Sequence, residues 1–215
     1  MNVHTDPQRS DEWFAARRGR VTGSRASALF SKGRGGAESA ALKALRVEIV
    51  AERLSSAPMT PGFVSSAMQN GVDSEPAARA AYELIYGVSI REVGFAAHDT
   101  LMAGVSVDGF IGPSLDTAQA IVEIKCPAPK AHLATILASE IPAEHMPQVI
   151  HSLWMTGAPR LIFASYCATM NTLKQALVLR SFDYDRDESV MADYDEKIRS
   201  FLASCDEVVA ALTVT

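Results

Sequence analysis

Residues 104–127 carry acidic and basic side chains at spacings that suit phosphodiester chemistry. Asp108 ends an apolar run immediately before a glycine, where a turn is expected. Glu123 and Lys125 lie two residues apart within the otherwise apolar run 120–126. Because side chains alternate across a strand, Glu123 and Lys125 point to the same face. Charged groups in such apolar surroundings are strongly disfavoured unless they have partners.

A divalent cation is one such partner. If the strand that ends at Asp108 lies beside the strand that carries Glu123, two carboxylates come close and repel each other. Oxygen ligands of this kind suit Mg²⁺ or Mn²⁺. The ion would polarise a phosphodiester and help generate hydroxide from water, and Lys125 would orient the water or offset charge on the phosphate. The alternative is a turn aspartate plus a Glu123–Lys125 surface pair on an edge strand.

The surrounding pattern predicts helices and strands that could position these residues. The sequence predicts helices at 11–18, capped by Ser10 and ended by Gly19, at about 22–30 and at 40–54. Apolar residues at helical spacing predict further helices at 69–86, 142–155 and 187–212. Alternating or continuous apolar runs predict strands at 88–97, 101–107, 120–126, 161–167 and 175–182, with a loop at 109–117. The order places a central block of strands among helices, without an internal repeat. We therefore expect one α/β domain over residues 1–215.

Composition supports a globular chain. Of the 215 residues, 48% are hydrophobic and 21% are charged, as in ordinary folded domains. No run approaches the roughly 20 apolar residues that cross a bilayer, and the polar N-terminus lacks the apolar core of a signal peptide. These features predict no membrane association and a cytoplasmic location.

Charge and cysteine content exclude some site types. The net charge is −5, but the first 34 residues are locally basic through Arg9, Arg17, Arg18, Arg20, Arg25, Lys32 and Arg34. This distribution of charge fits two interpretations, a surface that binds phosphates locally and a basic surface that is simply solvated. The three cysteines, Cys126, Cys167 and Cys205, form no CxxC pair. We expect free thiols and neither a zinc site nor an iron–sulfur cluster.

Five short motifs follow one another in a distinctive order. They are SDEWFAARRGRVTGS at 10–24, GVDSE at 71–75, SVDG at 106–109, EIKCP at 123–127 and MPQVIHSLW at 146–154. In this order they resemble the lambda exonuclease and YqaJ-type viral recombinase family, over about residues 9–200. The resemblance implies an α/β restriction-endonuclease-like PD-(D/E)xK fold, in which helices flank a central mixed β-sheet.

The resemblance also implies roles for residues of the acidic site. Asp108 and Glu123 match the carboxylates that bind the metal ion, with the backbone carbonyl of Ile124 as a further ligand. Lys125 matches the catalytic lysine. Two further residues assigned to the catalytic site are Glu75, which completes the acidic cluster, and Gln148, which helps to hold the nucleophilic water.

A second set of residues matches contacts to DNA. Arg17, Ser24 and Ser106 resemble the pocket for the terminal 5′-phosphate. The basic phosphate contact that the family carries after the EIKCP motif has no matching residue here. Lys130 is the nearest substitute, and His132 is the other candidate.

Some positions depart from the family pattern or have simpler interpretations. Val107 stands where a proline is common, and His151 stands where a tyrosine is expected. Glu75 could be an acid in the first turn of a helix, where the helix dipole favours it. Gln148 could face solvent on its helix, and Arg17 could belong to the solvated surface.

The function implied by the resemblance is 5′→3′ exonuclease activity on double-stranded DNA ends. Such an enzyme uses Mg²⁺, with Mn²⁺ as a substitute, and releases 5′-mononucleotides during phage-type homologous recombination by single-strand annealing. The resemblance implies a ring-shaped homotrimer, a single-strand annealing protein as partner, and a phage or prophage gene in a bacterial host. Two alternatives are a RecB- or Cas4-like nuclease that prefers single strands and a DNA-end-binding protein without activity. The sequence lacks the four-cysteine pattern of an iron–sulfur cluster, which argues against a Cas4-like nuclease.

Overall fold

The computed structural model describes residues 1–55, 66–170 and 177–213. In these ranges the helices are α1 Asp11–Arg17, α2 Ser27–Phe30, α3 Ala40–Leu54, α4 Ser66–Tyr86, α5 Pro129–Ala138, α6 Met146–Thr156 and α7 Glu188–Thr213. The strands are β1 Asn2–His4, β2 Phe95–Ala97, β3 Gly104–Val105, β4 Gly109–Ile111, β5 Ala120–Lys125, β6 Arg160–Tyr166 and β7 Leu179–Asp185. Single 3₁₀ turns lie at Gly23–Arg25, Arg34–Gly36, Leu115–Thr117, Ala143–His145 and Ala168–Met170.

The larger sheet is mixed and has the strand order β4-β5-β6-β7. β5 pairs in parallel with β6, whereas β4 and β7 are antiparallel to their neighbours. Nearly every residue of β5 and β6 is buried. Continuous apolar runs are typical of parallel strands that are covered on both faces, so β5 is an interior strand and not an edge.

Helices cover both faces of this sheet. On one face, Ile121 of β5 and Phe163 of β6 join a core with α3, α6 and α7. On the other face, Val122 and Ile162 pack in a second core with Ala78 and Tyr82 of α4. The odd-numbered residues of β5 therefore face α6, and this alternation directs Glu123 and Lys125 toward the same helix.

A small antiparallel sheet, in the order β1-β2-β3, lies beside the main sheet. α1 packs against β2, and a single parallel bridge joins Val21 to Ala103 next to β3. These contacts bring the segment after α1 close to the chain that leads into Asp108. The small sheet thus connects the basic N-terminal segment with the acidic stretch.

The structure confirms a central mixed sheet flanked by helices but corrects three local predictions. The stretch 109–117 is not simply a loop, because its first three residues form β4 and pair with β5. The predicted strands 88–97 and 101–107 shrink to β2 and β3. α5 was not predicted at all. This helix is short, begins at Pro129 and buries mainly His132 and Thr135. Its sequence therefore shows only a weak apolar periodicity, and the pattern did not predict it.

The remaining elements agree with the sequence patterns. α3 has the predicted bounds, and Pro147 lies in the first turn of α6, where a missing N–H is tolerated. The strand predicted at 175–182 is β7, displaced toward the C-terminus, and its first two predicted residues lie outside the described residues. In the described part of the chain, none of the helices is long and apolar enough to cross a bilayer.

Candidate active site

Asp108 lies beside Glu123 because β4 pairs with β5. Gly109 is opposite Val122 in this antiparallel pair, so the preceding residue, Asp108, continues the ladder toward Glu123. The Asp108 Oδ2 atom accepts a 2.7 Å hydrogen bond from the backbone N–H of Ile124. Since the N–H and C=O of one strand residue point toward the same neighbour, the Ile124 carbonyl is also directed to the Asp108 side.

The Glu123 carboxylate is fully buried and only half satisfied. Its Oε1 atom accepts hydrogen bonds from the Lys125 ammonium and, at 2.6 Å, from the Gln148 side-chain amide. Its Oε2 atom is buried without a hydrogen-bond partner among the described residues. Burial and the negative charge of Asp108 raise the pKa of Glu123 to about 7. The negative charge of an ionised Glu123 is therefore only partly compensated by the hydrogen bonds and charges around it.

The other ionisable groups respond to the same environment. Burial is the main reason that the pKa of Asp108 is raised, although Lys125 and the Ile124 N–H oppose the rise. The carboxylates of Glu123 and Asp108 raise the pKa of Lys125 in spite of its burial, so the ammonium stays protonated. The pKa of Glu75 is raised by burial and by Asp108, and its carboxylate accepts a 2.9 Å hydrogen bond from Arg79.

The donors at this site fit a hard divalent cation. Within the described ranges, no group of three or more His, Cys, Asp or Glu side chains is arranged to hold a metal ion. The donors here are two carboxylates, Asp108 and Glu123, together with the Ile124 carbonyl. The buried, unpartnered Oε2 of Glu123 is a free ligand atom. Oxygen donors that leave positions for water match the coordination of Mg²⁺.

A second polar cluster forms around Arg17 at the end of α1. Its guanidinium donates to Ser106 Oγ at 3.1 Å, to Thr22 Oγ1 at 3.3 Å and to Ser24 Oγ at 3.4 Å. The same guanidinium lies 4.0 Å from the centre of the Trp13 ring. Burial, with a smaller effect from Arg25, lowers the pKa of Arg17 to about 10, so it remains a cation at neutral pH. Arginine together with hydroxyl groups is a suitable receptor for a phosphate.

The Arg17 cluster is connected to the acidic residues through Ser106 on one side and Gly23 on the other. Ser106 precedes Asp108 by two residues. On the other side, Gly23 packs against Gln148 so closely that a Cβ atom at Gly23 would lie 3.2 Å from Gln148 Cγ. Gln148 in turn binds Glu123. An anion held by Arg17 would therefore lie next to the paired carboxylates.

Two cavities open beside the acidic residues. The larger has a volume of about 750 Å³, and its lining includes Arg9, Glu75, Arg79 and Asp108. A smaller cavity of about 260 Å³ is lined by residues that include Lys125. The acidic residues are thus accessible to a ligand, although Glu123 itself has no exposed surface.

Comparison with known proteins places the chain in a family. A family model for the YqaJ-like viral recombinase domain matches residues 12–159. This match covers more than half of the chain and includes every residue of the acidic cluster and of the Arg17 cluster. The chain belongs to the YqaJ-like viral recombinase family. No curated protein sequence matches it.

Solved structures agree with this membership. An alkaline exonuclease from Laribacter hongkongensis, LHK-Exo, superposes with a TM-score of 0.81 at 29% identity, covering 94% of this chain and 96% of that chain. The structure of LHK-Exo in complex with dAMP gives a TM-score of 0.80 at 29% identity, with the same coverage. A phage-related exonuclease from Haemophilus somnus shares the fold, with a TM-score of 0.67 at 12% identity over 90% of this chain and 96% of that one. The predicted PD-(D/E)xK fold is confirmed, and the family supports a nuclease that takes part in recombination.

For this YqaJ-like chain, the structure rejects two simpler interpretations of the acidic residues. Glu123 and Lys125 are not a surface pair on an edge strand, because β5 lies between β4 and β6 and Glu123 is 0% exposed. Gln148 does not simply face solvent, because its amide binds Glu123. Glu75 lines the same cavity as Asp108. Their catalytic roles stay predictions.

Lys130 and His132 were the candidates for the basic phosphate contact after the EIKCP motif, and the structure excludes one of them. His132 is wrong for this role, because its ring is 0% exposed and both ring nitrogens have internal partners, Ser165 Oγ at 2.7 Å and the Leu177 carbonyl at 2.9 Å. Lys130 is exposed in the first turn of α5, and its DNA contact stays a prediction. His151, where a tyrosine was expected, is a buried core residue bonded to Tyr194 and to the Gly104 carbonyl.

Two residues of the site were missed from the sequence. Thr22 contributes a hydroxyl to the Arg17 cluster, and its place within the motif at 10–24, two residues before Ser24, could have suggested this. Arg79 binds Glu75 and also donates to the backbone carbonyl of Asp108 at 3.2 Å. Its place four residues after Glu75 on α4 was the available signal, since such residues are neighbours on a helix.

Proposed function

We propose that this chain is a metal-dependent exonuclease that degrades double-stranded DNA from its 5′ ends and releases 5′-mononucleotides during phage-type recombination. The observation that carries the proposal is that the Arg17 cluster contacts Ser106, two residues before Asp108, and that Gly23 packs against Gln148, which binds Glu123. The family match and the likeness to LHK-Exo support a nuclease. The Arg17 cluster near the acidic residues supports the proposed direction of digestion.

The acidic residues would perform the hydrolysis. Asp108, Glu123 and the Ile124 carbonyl would hold Mg²⁺, or Mn²⁺ with the same donors. The bound ion would polarise the scissile phosphodiester and stabilise the leaving oxygen. Lys125, kept protonated by its neighbours, would offset negative charge that develops on the phosphate. Gln148 donates its amide N–H to Glu123, which leaves its amide oxygen able to orient a water molecule.

The Arg17 cluster would determine the direction of digestion. A terminal 5′-phosphate bound by Arg17, Ser24, Ser106 and Thr22 would place the first phosphodiester bond of that strand toward Asp108. Cleavage there releases one nucleotide at a time. An internal phosphate is bonded to a sugar on both sides, so it cannot present as many free oxygens to this cluster.

The test is digestion of a linear duplex carrying a labelled 5′-phosphate, with Mg²⁺ or with EDTA. We expect labelled mononucleotides from the wild type with Mg²⁺ only. Glu123→Gln should be inactive, and Lys125→Ala should lose roughly 100- to 1000-fold in kcat, the loss typical of removing one group that stabilises the transition state. Both variants should still bind the duplex, as measured by fluorescence anisotropy.

Each alternative has its own outcome in this assay. Faster digestion of a single strand than of the duplex would favour the RecB-like alternative. Binding of DNA ends without digestion under any metal condition would favour the end-binding protein. Near-normal turnover of Lys125→Ala would remove that residue from the mechanism. The homotrimeric ring, the annealing-protein partner, the single-domain organisation and the cytoplasmic location stay predictions of the sequence.

A further inference from the structure

Arg9 has a backbone conformation that arginine rarely adopts. The turn Pro7–Ser10 closes with a 3.1 Å hydrogen bond from the Ser10 N–H to the Pro7 carbonyl. Arg9 is the third residue of this turn and has a φ of 74°, whereas Gln8 is not among the residues with positive φ. This combination matches a type II turn, whose third position favours glycine or asparagine.

Contacts on both sides hold this turn in place. The Gln8 side-chain amide donates to the backbone carbonyls of Val93 at 3.2 Å and Val107 at 3.1 Å. On the other side, the Ser10 hydroxyl caps α1 by accepting a 3.2 Å hydrogen bond from the Trp13 N–H. These hydrogen bonds anchor Gln8 and Ser10 on either side of Arg9 and support its positive φ.

The Arg9 side chain has nothing to bind within the described residues. It is exposed, and no hydrogen bond or ion pair with another described residue involves it. It lines the 750 Å³ cavity together with Asp108 and Glu75. Its positive charge is near enough to both carboxyls to oppose the rise of their pKa values. Arg79, in the same cavity, in contrast donates to Glu75, Glu92 and the Asp108 carbonyl.

We infer that Arg9 binds an internal backbone phosphate of the DNA in the cleft, separate from the terminal phosphate held by Arg17. This inference rests on the proposed function. Arg9 precedes α1 and Arg17 ends it, so a helix of about 10 Å separates the two attachment points. If Arg9 only neutralised the acidic cluster, it would pair with Glu75, but Arg79 occupies that carboxylate.

An arginine at a position with positive φ is consistent with such a contact. Strained residues persist where the surroundings impose them, and they concentrate at functional sites. The type II turn fixes the direction in which the side chain leaves the backbone, toward the cavity. A glycine would fit the turn better and would present no cation to the cleft.

The experiment compares Arg9→Gly, Arg9→Ala and Arg9→Lys with the wild type in duplex digestion at several salt concentrations. We expect Arg9→Gly and Arg9→Ala to raise KM about tenfold at low salt, the effect of losing one phosphate contact. The slope of log KM against log salt should fall by about 0.9, and Arg9→Lys should keep the wild-type slope. Arg9→Gly should also raise Tm by about 2–4 °C, because it relieves the positive φ.

The matched control is Arg199→Ala, which removes an arginine from an exposed ion pair on α7 and should leave the salt slope unchanged. An unchanged slope in Arg9→Ala and Arg9→Gly would overturn the inference. So would a lower kcat with unchanged KM, which would assign Arg9 to the acidic cluster. A wild type that neither binds nor digests DNA would instead refute the proposed function, so the two failures are distinguishable.

Discussion

Replacing Glu123 by glutamine should abolish activity and yet stabilise the metal-free protein. The wild-type carboxyl is fully buried, and burial together with the charge of Asp108 raises its pKa to about 7. Above that pH the folded state must hold a charge that its surroundings disfavour. Glutamine keeps the shape and can still accept a hydrogen bond from Lys125, but it carries no charge.

The size of the effect follows from the pKa. A rise from 4.5 to about 7 corresponds to about 3 kcal/mol, at about 1.4 kcal/mol for each pH unit. Because the folded state binds the proton more tightly than the unfolded state, stability is lost as pH rises from 4.5 through 7. The value of about 7 already includes the attraction of Lys125, which lowers it, so the loss of this ion pair needs no separate correction. The expected gain above pH 7 is therefore about 3 kcal/mol, or about 6–12 °C in Tm.

The assay is thermal unfolding in EDTA at pH 5, 6, 7 and 8. Glu123→Gln should match the wild type closely at pH 5 and exceed it at pH 8. The control Glu196→Gln changes an exposed carboxyl on α7 and should show no such trend. Mg²⁺ should then raise the Tm of the wild type more than that of Glu123→Gln, because a ligand stabilises the state that binds it. A variant that is less stable than the wild type at pH 8 in EDTA would refute the reasoning.

Two further predictions concern Arg17 and His151. Arg17→Ala should bring the digestion rates of 5′-phosphorylated and 5′-hydroxyl duplexes close to each other, since the phosphate loses its cationic receptor; equal losses on both ends would contradict the phosphate role. His151 is buried between the Tyr194 hydroxyl and the Gly104 carbonyl, and burial lowers its pKa to about 4. Its contribution to stability should be fully present above about pH 6.5 and lost as pH falls through about 4, up to about 3 kcal/mol. Urea unfolding midpoints of wild type and His151→Gln between pH 4 and 7 should therefore diverge, and parallel pH profiles would show that His151 does not titrate in this way.

Local patterns in the sequence were enough for several features. The two-residue spacing of Glu123 and Lys125 in an apolar run predicted a strand with both side chains on one face, and the structure agrees. The helices predicted at 40–54 and 187–212 correspond to α3 and α7 within a residue at each end, and the second was predicted from its apolar periodicity. These predictions succeed because helix and strand periods depend on residues that are near one another in the chain.

Other parts of the site were predicted only through the family resemblance. No spacing rule connects Arg17, Ser24 and Ser106, which lie up to 89 residues apart. Gln148 and Glu75 likewise meet Glu123 and Asp108 only through packing of α6 and α4 against the sheet. The family motifs supplied these residues, and the structure shows hydrogen bonds from Arg17 to Ser106 and Ser24 and from Gln148 to Glu123.

The sequence by itself determined the periodic elements, the apolar strand that carries Glu123 and the motifs that identify the family. Only the tertiary structure decided that β5 is an interior strand, that one oxygen of Glu123 is buried with no partner among the described residues, and that His132 is occupied inside the core. It also decided the positive φ of Arg9 and placed its guanidinium in the same cavity as Asp108. The physical reason is that burial, pKa and hydrogen-bond satisfaction depend on which distant segments pack together, whereas strand and helix periods depend on neighbours in the chain.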